Sequence, residues 1–209
     1  MQTDLIRQQI TEARAVEKKT GRLARSLAEA AAARGIRISE PELNNLFIFI
    51  NQYIDHIPAL LDRMQQIAKE QGIQEHVEPI LNAAVEYFTA PEDVIPDRLG
   101  LLGLLDDAYV AHCLLQSVSD HYQAQSGFAM LSVDMTEANR IVRALIGEPH
   151  ASLLDAGVSE EIETPEIENS LLGLLESEQG FRITWADPVW EESSLQSILD
   201  SQSGSWGIA

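Results

Sequence analysis

Two adjacent aspartates, Asp106 and Asp107, lie between the apolar runs LGLLGLL and AYVAHCLL. Neighbouring residues on a helix point about 100° apart. With apolar residues on nearly every side, at least one carboxylate is expected to be partly buried, and a buried carboxylate needs a partner or a raised pKa. Upstream, Pro91 and Pro96 bracket a stretch that a regular helix cannot cross. Asp93 and Asp97 stand where they can cap turns, or a helix starting near Arg98. Gly100 and Gly103 fall among leucines in the first turns of that helix. Each costs about 1 kcal/mol of helix propensity relative to Ala, which points to close approach of a neighbouring backbone. The segment Pro91–Cys113 therefore demands a helical environment packed closely around it.

The rest of the chain reads as helices able to supply that environment. Leu5, Ile6, Ile10, Ala13, Val16, Leu23 and Leu27 recur at helical spacing and predict one long helix over 3–34, weakened at Gly21 and stopped by Gly35. Ser39 and Glu42 form a capping-box pattern ahead of a second helix, with Pro41 in its first turn. That helix is expected to kink or break at Pro58 and to resume as far as Gly72. A further helix follows over about 74–88, and the helix carrying the aspartate pair is expected to reach about Gln125. Asp134 and Glu137 suggest another capping box for a helix ending at Ile146. Beyond a GEPH turn, 151–156 reads as a short helical piece and VSEEIETPEIENS as an acidic linker. Thr164 and Pro165 open a last helix, 166–176. GFRITWADPVW alternates like a strand or an extended peptide, and SSLQSILD suits one or two helical turns. The expected class is all-α. It would be an irregular helical bundle with a helical hairpin centred on Pro91–Cys113 and an acidic C-terminal appendage. The divisions are 1–37, a long N-terminal helix; 38–157, a helical core; and 158–209, an acidic linker and tail.

Residues 94–110 resemble the YkvA-like family, a small helical domain of unknown function. The resemblance rests on Val94-Ile95-Pro96-Asp97, then Leu102-Gly103, then Leu105-Asp106-Asp107 followed by Ala108 and Val110, and extends over about 83–119. Family members often carry a second Ile-Pro pair after the Pro-Asp turn, where this chain has Arg98-Leu99. The resemblance implies a compact helical unit and no established activity.

Charge narrows the partners. The formal net charge is −19, which repels phosphate backbones and anionic lipid, so general nucleic-acid binding is not expected. It is uneven: residues 1–37 carry eight Lys/Arg against four acids, and residues from Leu145 onward carry thirteen acids against Arg182 alone. A basic head and an acidic tail can attract each other within one chain or between two, so a homo-oligomer is one expected arrangement. No membrane span is expected, since Asp106, Asp107 and His112 interrupt the most apolar stretch. The opening MQTDLIRQQI has no signal-peptide character, and a cytoplasmic, bacterial-type protein is the expectation. Cys113 is the single cysteine and reads as a small buried hydrophobe.

No HExxH, GxSxG, GxGxxG or P-loop pattern occurs. Two uses of the aspartates remain. Asp93, Asp97, Asp106 and Asp107 could together hold a divalent cation, as hard cations take clustered carboxylate oxygens. Alternatively they cap helix starts and clasp the proline turn to the helix, the more usual fate of buried carboxylates. His112 reads as a satisfied histidine at a helix contact. Arg140 and Arg143 are placed to pair with a buried aspartate or the acidic tail. Trp185, Trp190 and Trp206 are all the tryptophans of the chain and lie among acids near its end. Apolar anchors among acids suit a peptide that docks on a partner, the reading favoured for Trp206, whereas Trp185 and Trp190 are expected rather to fold back on the core. The leading expectation is a non-enzymatic adaptor or regulatory protein working through protein contacts, with no resident cofactor. A metal-dependent enzyme or cation sensor is the second reading. An acidic, immunity-type inhibitor of a basic partner is the third.

Overall fold

Helix α1, Gln2–Thr20, does not run on as one element. Gly21 takes φ 57°, a left-handed conformation open to glycine at little cost, and helix α2, Arg22–Ala33, leaves in a new direction. The corner is held by Glu17, which is buried. Its two carboxylate oxygens accept the Leu23 backbone N–H at 3.1 and 3.0 Å, capping α2 across the break. The expected single helix over 3–34 is thus two. In this computed structural model the described residues are 2–33, 35, 37–89, 97–131, 134–177 and 181.

Helix α3, Glu40–Gln71, opens on the expected capping box and ends at Gly72. Ser39 accepts the Glu42 N–H, and the Glu42 carboxylate accepts the Ser39 N–H at 2.7 Å. No break occurs at Pro58. Ile54, Ile57, Pro58, Leu60 and Leu61 are all buried, and packing of that face carries the helix past the missing N–H. Helix α4, Gln74–Thr89, takes Pro79 in its second turn.

The helix bearing the aspartates begins later than its pattern suggests. Residues Asp97–Leu102 form 3₁₀ turns broken at Gly100, whose φ 73° and ψ −137° no helix allows. Helix α5 then runs Leu104–Ser126 through the centre of the molecule. It packs on α3 and α4 and on the helices that follow. The expected close approach is found at Gly100. A Cβ there would lie 3.1 Å from Val16 Cγ1 and 3.2 Å from the Ala13 carbonyl oxygen, so α1 rests directly on this turn.

Helix α6, Thr136–Ile146, starts two residues after its expected cap; Asp134 accepts the Thr136 N–H at 2.9 Å instead of forming a capping box. Helix α7, His150–Ile162, crosses the boundary expected at 157–158, so part of the supposed linker is helical. Helix α8, Pro165–Glu176, is capped by Thr164 as its sequence suggests. It buries Ile167, Leu171 and Leu174 against α4 and α5, and so belongs to the core rather than to an appendage. Cleavage at 158 would therefore strip packed apolar surface, at roughly 2–5 kcal/mol for each large side chain lost.

The described residues form an all-α bundle, as expected, and its helices pack around α5. One continuous apolar core links α1 at Ile6 and Ile10 to α8 at Leu174. Among the described residues no helix is long and apolar enough to cross a membrane. The stretches GFRITWADPVW and SSLQSILD, apart from Phe181, fall outside the described residues.

Candidate functional site

Asp106 and Asp107 are both buried, at 2% and 7% exposure, in the first turn of α5, where the positive end of the helix dipole favours negative charge. Asp93 and the side chain of Asp97 fall outside the described residues. Among the described residues no group of three or more His, Cys, Asp or Glu is placed to hold a metal ion.

One turn on, a polar cluster occupies the centre of the core. His112 of α5 donates through Nε2 to the Tyr53 carbonyl of α3 at 2.9 Å, which fixes its tautomer. Its ring lies 4.2 Å from the Tyr53 ring and stacks on His56 at 5.2 Å, with 13° between the planes. The Tyr53 hydroxyl donates to Asn139 Oδ1 of α6 at 2.7 Å. Burial opposes charging of these groups: it lowers His112 to about 4, holds His56 well below its usual value, and raises Tyr53. His112 is a helix-contact histidine, as the sequence suggested, set deep in the core and bonded through Nε2.

A second network joins α5, α6 and α7. Tyr109 donates to Asp155 Oδ1 at 2.6 Å, and Arg143 Nε donates to Asp155 Oδ2 at 2.8 Å. Arg143 also reaches Glu148 at 2.9 Å. Arg140 pairs with Glu137 on its own helix. These arginines thus meet carboxylates other than the aspartate pair that the sequence offered them. For Arg143 the carboxylate comes from α7, which is longer than its sequence suggested. Cys113 adjoins Tyr109, and burial pushes its thiol up to about 12, which makes it a poor nucleophile.

A cleft among the described residues lies elsewhere. The α1–α2 corner, the first turns of α3 and the 3₁₀ segment enclose a cleft of about 860 Å³. Its walls are mainly apolar, from Ala24, Pro41, Leu43, Phe47 and Leu101, with Arg14, Lys18 and Glu40 at the margin. Leu43 and Phe47 pack on the core with one side and remain half-buried, while Ile48 beside them is 42% exposed. Lys18, Lys19, Arg22 and Arg25 stand around the corner, with Lys18, Lys19, Arg22 and Arg25 all on the solvent side of α1 and α2. Arg14 is partly engaged: it donates to Asn51 at 3.1 Å and pairs with Asp55, while Arg7 pairs with Asp62. The basic first helix is thus seated on α3 along one side. Sequence reasoning overlooked the cleft because it depends on the turn at Gly21. Glycine there was the available signal, and Glu17 four residues before it was the cap to look for.

Trp185, Trp190 and Trp206 lie outside the described residues. The last described residue before them, Phe181, is buried, and its N–H donates to the Tyr122 hydroxyl near the end of α5 at 2.7 Å.

A family profile described as a protein of unknown function (DUF1232) matches residues 80–113. The match runs from the second half of α4 through the 3₁₀ turns to Cys113, the same segment whose proline turn and aspartate pair stand out in the sequence. No curated protein and no solved structure matches the chain.

Proposed function

We propose that this chain is a non-enzymatic adaptor or regulatory protein, and that the cleft between the α1–α2 corner and the start of α3 is its contact surface. The observation that carries this reading is the cleft's make-up. It has apolar walls at Leu43, Phe47 and Leu101 and a basic corner beside it in an otherwise acidic protein. Such a groove suits a segment that lays large apolar side chains inside and sets carboxylates against Lys18, Lys19, Arg22 and Arg25. The YkvA-like unit then serves the architecture of the cleft, because its 3₁₀ turns carry Leu101 into the wall and seat α1 at Gly100.

The test is a Leu43→Ser, Phe47→Ser double variant compared with Leu172→Ser, an exposed position on α8. After both are shown to be folded by circular dichroism and urea unfolding, proteins co-purifying with each are quantified against wild type. Losing apolar anchors at the centre of an interface typically costs about 2 kcal/mol or more, roughly a thirtyfold loss of affinity. Partners should be lost from the cleft variant and kept by Leu172→Ser. Equal recovery from all three proteins contradicts the proposal.

In this reading Asp106 and Asp107 are a clasp within the fold. Asp106→Asn is expected to lower unfolding stability by about 1–3 kcal/mol. Calorimetric titration of wild type with Mg²⁺, Mn²⁺ or Ca²⁺ is expected to give no binding heat. A saturable heat that disappears in Asp106→Asn would establish the cation-site alternative in place of the clasp.

A further inference from the structure

We infer that the same cleft takes a small amphipathic carboxylate, a single acyl chain with its head group against Lys18, and that such a ligand displaces a polypeptide from it. This rests on the cleft being a contact surface, as proposed above, and names a regulator of that surface.

Size and lining set the body of the ligand. Sites for small molecules enclose roughly 300–1,000 Å³ and are mostly apolar, with a few polar groups that fix orientation. The cleft, at about 860 Å³, falls inside that range. Leu43 and Phe47 stand one turn apart on α3 and are half-buried, so an apolar body laid against them removes their remaining surface from water. Leu101, itself buried, backs them from the 3₁₀ segment. Among the described lining residues Phe47 is the one aromatic ring, and the other apolar walls are aliphatic. A flexible acyl chain conforms to such a wall, whereas a flat polycyclic ligand would lack rings to stack on.

Charge sets the head group. Arg14 and Lys18 stand one turn apart on α1 at the cleft margin. Arg14 is engaged by Asp55 and Asn51, whereas Lys18 is exposed and makes no ion pair among the described residues. Lys19, Arg22 and Arg25 add positive potential around it. Two acids also line the cleft. The Glu17 carboxylate is turned to the Leu23 N–H, and Glu40 is exposed to solvent, where screening limits its opposition. In a protein of net charge −19 this corner attracts an anion that the rest of the surface repels. A carboxylate on an acyl chain carries in one molecule the two features, apolar body and negative charge, that the cleft selects in a polypeptide, so the two exclude each other.

Decanoate, kept below its micelle-forming concentration, is titrated calorimetrically into the full-length protein and into variants first shown to be folded by urea unfolding. The expected result is a saturable heat with one decanoate per chain. Leu43→Ser/Phe47→Ser should weaken binding by about tenfold or more, and Lys18→Gln by roughly twofold to fivefold. Leu172→Ser, on the exposed face of α8, should leave it unchanged. Octanoate should bind about threefold to tenfold more weakly than decanoate, because two fewer methylenes leave water. Decanoate should also release proteins that co-purify with the wild type. Absence of a saturable heat overturns the inference, and so does equal affinity in wild type and Leu43→Ser/Phe47→Ser, which marks adsorption outside the cleft. Partners retained at saturating decanoate overturn the displacement. Failure of decanoate to bind, with partner recovery still sensitive to Phe47, leaves the cleft as a contact surface for polypeptides alone. Decanoate binding that depends on Phe47, with partner recovery that does not, supports the ligand site and removes the polypeptide reading.

Discussion

Replacing Gly100 by alanine should destabilise the protein by about 1–3 kcal/mol from backbone strain alone, because φ 73° with ψ −137° is a conformation that residues with a Cβ seldom adopt. The added methyl would also press on Val16 Cγ1 at 3.1 Å and on the Ala13 carbonyl oxygen at 3.2 Å, so either α1 lifts or the turn deforms. Both responses disturb the cleft, since Leu101 is the next residue and α1 supplies the basic margin. Gly157→Ala is the matched control. It lies inside α7, where a Cβ would meet only the Tyr87 hydroxyl at 3.9 Å, and alanine there should be neutral or stabilise by up to about 1 kcal/mol. Urea unfolding of the two variants should therefore move the midpoint in opposite directions, or leave Gly157→Ala unmoved. In a chain of this size each kcal/mol corresponds to a Tm change of roughly 2–4 °C. Equal, small effects would mean that the turn at Gly100 is not what seats α1.

Acid should weaken the fold well above the pH at which its carboxylates titrate. His112 is buried and lowered to about 4, from the 6.5 of an exposed imidazole. The unfolded chain therefore binds a proton that the folded chain refuses. Its contribution is fully present above about pH 7 and is lost progressively as pH falls from about 6.5 to about 4. For this residue alone the loss between about pH 7 and about pH 5 is roughly 2 kcal/mol. His56 is also lowered, by burial first and by its neighbour His112 second, and adds to the loss with the same sign. Carboxylates of ordinary pKa stay ionised over most of this window. The check is urea unfolding at several pH values, with His112→Gln alongside wild type. Glutamine can still donate to the Tyr53 carbonyl but does not titrate, so the slope of stability against pH should fall. A slope unchanged by the substitution would place the pH dependence elsewhere.

Much of the fold was legible because it depends on local signals. The Ser39–Glu42 box and the Gly72 stop bound α3, and Thr164-Pro165 starts α8, each by satisfying helix-end groups with residues adjacent in sequence. The errors share a different cause. Gly21 splits α1 from α2, but its effect depends on Glu17 turning back to cap Leu23, a choice of one rotamer that no periodicity reveals. Pro58 does not break α3, because burial outweighs the missing bond. VSEEI looked like a linker because its acids are close together, yet Val158 is buried and the helix continues beneath a charged outer face.

The candidate site was less legible than the fold. The aspartates and His112 were conspicuous in the sequence and lie in the interior, where polar residues serve helix contacts. The cleft is assembled from Lys18, Leu43, Phe47 and Leu101, residues far apart in sequence and unremarkable one by one. Their meeting is a consequence of two glycine conformations, at Gly21 and Gly100. A chain that places its most unusual residues inside and its ordinary ones around a cleft gives little hint of where it makes contact.

The central question is whether that cleft receives an acidic, apolar polypeptide segment. The direct measurement places a photo-reactive residue at Asn44, on the cleft wall, in the full-length protein and maps the adducts by mass spectrometry, with the same residue at Leu172 as control. The predicted result is adducts from position 44 to a segment of a partner protein rich in carboxylates and large apolar side chains. Those adducts should be lost in the Phe47→Ser background and absent from position 172. No polypeptide adduct at position 44, or adducts that persist undiminished in Phe47→Ser, would contradict it.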